Sequence, residues 1–265
     1  MIRLRDCACF EEYEACVRLQ VETWGYDASD VIPRKAFIVA KKIGGQIVGA
    51  FDTDQPGAGP CGGPESLIGF AFSLPGIKSG ADGPRPYLHS HMLAVRESWR
   101  NRGIGTQLKL EQRREALQRG IRRMEWTFDP LEIRNAYLNI HKLGAIVRSY
   151  QVDFYGVSSS RLQGGLQTDR LVAEWMLDSP RVQVILEGGS SEPFTIVERI
   201  EVPATVSAWK ASEEDRYRAR EVQHRNRLQF EKAFAKGLAV LGYTRDEQGN
   251  GVFELGLPQQ GTNTA

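Results

Sequence analysis

The sequence predicts a mixed α/β (α+β) chain, and three observations predict it. Upstream of residue 96 the apolar positions switch between the two-residue period of strands and the 3.6-residue period of helices, in the order β-α-α-β-β-β. The most β-like run, YLHSHMLAV, then passes through a glycine-bearing turn into an amphipathic helix within ESWRNRGIGTQLKLEQRREAL, residues 97–117. After Asp178-Ser179-Pro180 the texture changes to weaker strands and one long helix.

Each element has its own signal. IRLRDC reads as the first strand. Phe10, Tyr13, Val17, Val21 and Trp24 recur at helical spacing and predict an amphipathic helix of about four turns. Pro33 suits the start of a second helix, RKAFIVAKKI, closed by Gly44-Gly45. QIVGAFD and SLIGFAFSL read as strands around a Gly/Pro-rich exposed loop, QPGAGPCGGPE, and PGIKSGADGPRP reads as a second loop. Gly120 stops the helix after the turn. In IRRMEWTFDP, Met124, Trp126 and Phe128 alternate with Arg123, Glu125 and Thr127, the pattern of a half-buried strand. LEIRNAYLNIHKLG is a short helix ending at Gly144, IVRSYQVDFYG a strand, GVSSSRLQGGLQT a polar loop and DRLVAEWML a strand.

Beyond a soft boundary near residue 178, RVQVILEG and FTIVERIEV read as strands. A long helix follows, with Ser212 and Asp215 at capping-box spacing. Its stripe is Phe230, Phe234, Leu238 and Leu241, as core or as a homodimer contact, and GVFELGL is a last strand before a polar tail. The expected organisation is a domain over 1–177 and an α+β extension over 178–265; the alternative is that the later strands extend the first sheet.

At 265 residues and 41% apolar, the chain can bury a large core. A net charge of +1 argues against nucleic-acid and anionic-membrane partners, so any basic site must be local. No apolar run approaches the roughly 18 residues of a membrane span. Acids come early in MIRLRDCACFEEYEAC, against a signal or transit peptide. Cys7, Cys9, Cys16 and Cys61 lack metal-site spacing and are expected to be reduced, in keeping with the cytoplasm.

Glycine inside a helix costs roughly 1 kcal/mol relative to alanine, so Gly103 and Gly105 at a helix start need a reason. A Walker loop requires Gly-Lys-Ser/Thr, but Thr106-Gln107 follows Gly105; a dinucleotide fingerprint requires a third glycine where Leu108 stands. What remains is either a plain turn or an anion cradle. In the cradle, free amides and the helix dipole attract a diphosphate, and Arg100 and Arg102 add charge.

The run HMLAVRESWRNRGIGTQL resembles the signature of the GNAT superfamily of coenzyme A-dependent N-acyltransferases, through Leu93, Ala94, Val95, Arg100, Gly103 and Gly105. EWTFDPLEIRNAYLNIHKLGA resembles the family's second signature, a strand and an Asn-initiated helix leaving through Lys-Leu-Gly, with Asn135, Lys142, Leu143 and Gly144. The resemblance covers roughly residues 1–177 and implies a central mixed sheet flanked by helices. It also implies an acyl-CoA co-substrate, acetyl-CoA or succinyl-CoA, with its diphosphate on Arg100, Asn101, Arg102, Gly103, Ile104, Gly105 and Thr106. The pantetheine arm is then expected to pair with backbone near Leu93 and Val95, a form of strand addition. The implied partner is a small-molecule amine.

Amide formation needs a proton acceptor for the amine and help for the leaving thiolate. The resemblance implies a tyrosine four residues before Gly144, where this chain has Ile140. Tyr137 lies one helical turn earlier, on the face of Ile140, whereas His141 is expected to point about 100° away; Tyr150 and Tyr155 are further options. His89 and His91, at i and i+2, are expected to share a face that continues to Leu93 and Val95 and to offer a base. His89 occupies the offset at which some family members carry a glutamate base. As a metal pair the two histidines lack a nearby third ligand, so no metal is expected. Arg161 and Arg170, on the polar loop, could pair with a carboxylate of the acceptor or of a dicarboxylic acyl group, or could simply close the loop. Alternatives to a small-molecule acyltransferase are an enzyme acting on a protein amine and a non-catalytic coenzyme A-binding or oligomerising module.

Overall fold

A computed structural model describes residues 1–55, 61, 66–80, 83–190 and 192–258. The chain forms two compact units, Met1–Met124 with Ser159–Arg161, and Glu125–Ser158 with Leu162–Ala265.

The first unit holds β1 (Ile2–Asp6), α1 (Phe10–Trp24), α2 (Arg34–Lys42), β2 (Gln46–Asp52), β3 (Leu67–Gly80), β4 (Gly83–Val95) and α3 (Ile104–Gln118). Its strands lie in sequence order and pair antiparallel throughout. Side chains alternate across this sheet, so it buries two cores. Tyr13, Cys16, Leu19, Phe37, Phe70, Phe72, Met92 and Ala94 form one, with α1 and α2. Val48, Ala50, Ile68, Ala71, Ile104 and Leu108 form the other, with Leu93 and Val95 packed against it beside α3.

Two expectations change here. The buried face of α1 is Tyr13, Cys16, Leu19 and Gln20, while Phe10 and Val21 are exposed, so the stripe is rotated from the one the spacing predicts. Most of PGIKSGADGPRP is strand rather than loop: β3 and β4 pair from Leu74↔His89 out to Gly80↔Gly83, and residues 81 and 82 lie outside the described residues. Of the loop QPGAGPCGGPE, residues 56–60 and 62–65 lie outside the described residues, as does the tail from 259. Cys7 and Cys16 are buried with Sγ atoms 4.0 Å apart, and all four cysteines are free thiols.

The second unit contains most of β5 (Arg123–Phe128), then α4 (Ile133–Ala136) running into a π-helical turn (Tyr137–Lys142), β6 (Ile146–Gln151) and β7 (Arg170–Met176). α5 (Pro180–Leu186), β8 (Glu198–Val202), α6 (Val206–Ala211), α7 (Arg216–Ala235), β9 (Ala239–Arg245) and β10 (Gly251–Gly256) complete it. The strand order is β5-β7-β6-β9-β10-β8, with β9 joined to β6 at Val147↔Val240. α7 covers this sheet through Phe230, whose ring stacks on Tyr150 and meets Phe253 edge-on.

RVQVILEG is a helix rather than a strand. Ser179 accepts from the Val182 amide and Pro180 occupies the first turn, so the cap outweighs the β-branched composition. α7 ends at Ala235 and Gly237 turns the chain with φ 77°. Leu241 therefore sits in β9, and the predicted helical stripe breaks after Phe234. The strand IVRSYQVDFYG stops at Gln151, where Asp153 adopts φ 46°. No described helix is long and apolar enough to cross a membrane.

Candidate active site

β4 delivers the chain to the glycine turn. The Arg96 amide bonds the Ile68 carbonyl, a short 3-10 turn spans Glu97–Trp99, and Asn101 adopts φ 62°. Gly103, at φ 77°, is the N-cap of α3 and supplies no side-chain cap. A helix starting this way leaves its first-turn amides to an outside acceptor at the positive end of the helix dipole. A Cβ built on Gly103 would meet nothing within 4 Å, so the side of the turn at Gly103 is open. Arg100 Nε donates to the Val95 carbonyl at 3.1 Å, and the Arg102 guanidinium lies over Trp99 at 4.8 Å. Both are exposed beside the turn. The glycine is thus required by its backbone conformation as well as by any close approach. An extended anion such as a diphosphate fits this donor set; a bare cation does not.

The histidines are placed by a bulge. Across β3 and β4, Phe72 pairs with Met92 and Ser73 with Ser90, which leaves His91 as an extra residue. Ser90 turns toward α3, where it meets Lys109 and Gln112. His91 meets Phe72 edge-on in the core on the other side, 6.1 Å between centroids, and His89 lies 6.0 Å from His91. The expectation that the histidine face runs on to Leu93 and Val95 is corrected: those two pack on the α3 side. A one-residue register change swaps every following side chain to the opposite face. Burial pushes the His91 imidazole below its usual pKa, so it stays neutral at pH 7.

In the second unit, Tyr137 stacks on His141, 4.5 Å between centroids and 19° between planes, whereas Ile140 is buried. The prediction that Tyr137 shares a face with Ile140 and that His141 points away is corrected. Tyr137 and His141 are four residues apart, a spacing that shares one side of a helix, and the segment closes in a π turn, with Leu143 N bonded to Leu138 O at 3.0 Å. The Arg245 guanidinium and Lys142 Nζ lie 5.3 and 5.7 Å from the Tyr137 ring centre. Partial burial and then Lys142 lower the His141 pKa, against a hydrogen bond with the Tyr243 backbone. The helix starts at Ile133 with Glu132 as its N-cap, so Asn135 does not initiate it and is exposed in its first turn.

The two loop arginines lie in different compact units. Arg161 Nη2 donates to the Glu22 carbonyl at 2.8 Å, and its side chain covers Gly25. Arg170 donates to the Asp169 carbonyl at 2.8 Å and to Gln163 Oε1 at 3.1 Å, with its guanidinium over Tyr155. Of the alternative tyrosines, Tyr150 donates to Asp169 Oδ2 at 2.6 Å, and Tyr155 shares a 2.9 Å hydrogen bond with Thr127 Oγ1. Among the described residues, no three His, Cys, Asp or Glu side chains are placed to hold a metal ion.

Two buried lysines escape sequence reasoning. Lys109 reaches Ser90, and Lys210 on α6 bonds Asp129 at 2.7 Å and Glu132 at 2.9 Å. The only advance signal was a lysine beside Leu108 on the inner side of α3.

A profile of the Acetyltransferase (GNAT) family matches residues 3–139, just over half of the chain. Among solved structures, Arabidopsis thaliana NAA60 in complex with acetyl-CoA is similar at 15% identity and a TM-score of 0.54, over 68% of this chain and 100% of that one. The same plant protein in complex with a bisubstrate analogue is similar at 17% identity and 0.53, over 66% and 97%. No curated protein matches the chain. A strand running through an open glycine turn into an uncapped helix lies inside the matched region, and the chain belongs to the GNAT acetyltransferase family, acyl-CoA-dependent N-acyltransferases.

Proposed function

We propose that this protein transfers an acyl group, acetyl or a larger one such as succinyl, directly from acyl-CoA to the amine of a small molecule, with amino acids as the first acceptors to test. The observation that carries this reading is the open, uncapped N-terminus of α3 at Gly103, flanked by Arg100 and Arg102. Coenzyme A supplies the thioester. Backbone of Leu93, Ala94 and Val95 pairs with the pantetheine amides, and the amides of Gly103, Ile104, Gly105 and Thr106 hold the diphosphate. Arg100, Asn101 and Arg102 border that anion, and Asn135 contacts the cofactor from α4. His89 takes the amine proton, with His91 beside it to hold its ring. Tyr137 is the proton donor to the thiolate. Arg161 and Arg170 are the cationic groups offered to a carboxylate. Residues 1–177 form the catalytic domain in this reading, and 178–265 an extension.

Calorimetric titration with coenzyme A, acetyl-CoA and succinyl-CoA in parallel tests the reading. Binding of all three with a clear acyl preference supports it and names the donor. Absence of binding overturns it in favour of an interaction module, the reading that the buried Ile140 at the usual tyrosine position encourages.

A further inference from the structure

This inference rests on the acyltransferase reading, in which the chemistry depends on where β4 points His89 and His91. The strand does not set that direction alone. The extra residue at His91 requires Ser90 to stay on the α3 side, and a buried lysine meets it there. Lys109 is 2% exposed and donates from Nζ to Ser90 Oγ at 2.7 Å. Ser90 Oγ donates to Gln112 Oε1 at 3.0 Å. The Gln112 carbonyl accepts from Gln46 Nε2 at 2.9 Å, and Gln46 Oε1 accepts from Ser73 Oγ at 3.0 Å. Ser73 is the residue paired with Ser90, so the bonds close around the bulge from both strands and the helix.

Burial drives the Lys109 amine well down from its usual pKa, and an apolar side chain at this site would escape that cost altogether. The amine therefore needs a purpose that packing does not supply. We propose that Lys109 is a positioning residue: its bond to Ser90 locks the β4 bulge and keeps His89 and His91 on the face opposite α3. It thereby ties the helix that opens on Gly103 to the strand that carries the proton acceptor.

Lys109→Met keeps the bulk and removes the donor, whereas Ser90→Ala removes the acceptor. Each lowers kcat about 10- to 100-fold, as a small misplacement of a reacting group does. Affinity for coenzyme A stays within about twofold, because the loss is in the chemical step. The chain has four histidines, so ring NMR signals resolve them individually. Those of His89 and His91 move in both variants, those of His141 and His224 stay, and Ser90→Thr restores the wild-type positions. Normal kcat in both variants overturns the proposal, as do unmoved His89 and His91 signals. A loss of coenzyme A binding equal to the loss of kcat also overturns it. Should Lys109→Met fail to fold, Ser90→Ala carries the same test. His89→Ala, measured alongside, separates the two readings: full activity there removes the base assignment, while the ring signals still decide whether Lys109 positions the strand.

Discussion

His91 and Met92 are consecutive residues of β4 that face the same side of the sheet. In a regular strand they would point in opposite directions. The bulge between them separates two duties of one strand. Downstream, Leu93 and Val95 anchor against the α3 core. Upstream, His89 and His91 turn toward the side of α1 and α2.

That placement makes His89 the group to remove first. His89→Ala is expected to lower kcat by about 10²–10⁴, the usual contribution of a general base, with coenzyme A affinity unchanged. Full activity of the variant across pH removes His89 from the mechanism.

His91 carries a pH signature in stability. Its folded pKa lies below the unfolded value of about 6.5, so the unfolded chain binds the extra proton more readily. The contribution is therefore fully present above about pH 6.5 and is lost as pH falls through the folded value. Melting curves between pH 7 and 5 should show a decline in Tm that is smaller in His91→Gln. An equal decline in both proteins would mean that another group is responsible.

Gly103 separates backbone strain from anion repulsion. Gly103→Ala places a Cβ in open space but at φ 77°, so it should cost about 1–2 kcal/mol of stability. Gly103→Glu adds a negative charge at the helix N-terminus and should abolish coenzyme A binding. Calorimetry on the pair reads the two effects apart: binding retained in the alanine variant and lost in the glutamate variant is the expected result, and normal binding by Gly103→Glu refutes the cradle.

Local signals were legible and long-range ones were not. The strand–turn–helix around Gly103 is written in contiguous residues, and so is the Ser179-Pro180 cap, although Val182, Val184 and Ile185 argue for a strand when composition is weighed ahead of capping. The bulge at His91 depends on Ser73, Gln46 and Lys109, which lie far from it in sequence. No periodicity reveals a register set that way. The stacking of His141 on Tyr137 was readable, because residues i and i+4 share a face of an α-helix; the π turn itself was not, since nothing in YLNIHK distinguishes it from an α-helix.

The same limit hides Lys210, which joins α6 to the end of β5. Its ammonium bonds Asp129 and Glu132 and is 4% exposed. Burial raises the Asp129 pKa, but the charges of Lys210 and then Arg170 outweigh it, so the carboxyl is held below its usual range. Burial likewise lowers the Lys210 pKa, and its two carboxylates more than restore it. The sign follows for each partner. The Asp129 contribution is present above about pH 3.9 and is lost as pH falls through its depressed value; the Lys210 contribution is present below about pH 10.4 and is lost as pH rises through its raised value. Lys210→Met leaves a buried carboxylate without its counter-charge and should destabilise the protein by about 3–5 kcal/mol at pH 7. The double variant Lys210→Met/Asp129→Asn removes that stranded charge and should recover part of the loss. Urea unfolding of the wild type, both single variants and the double variant measures this directly. Additive losses would mean that the two residues stabilise the fold independently.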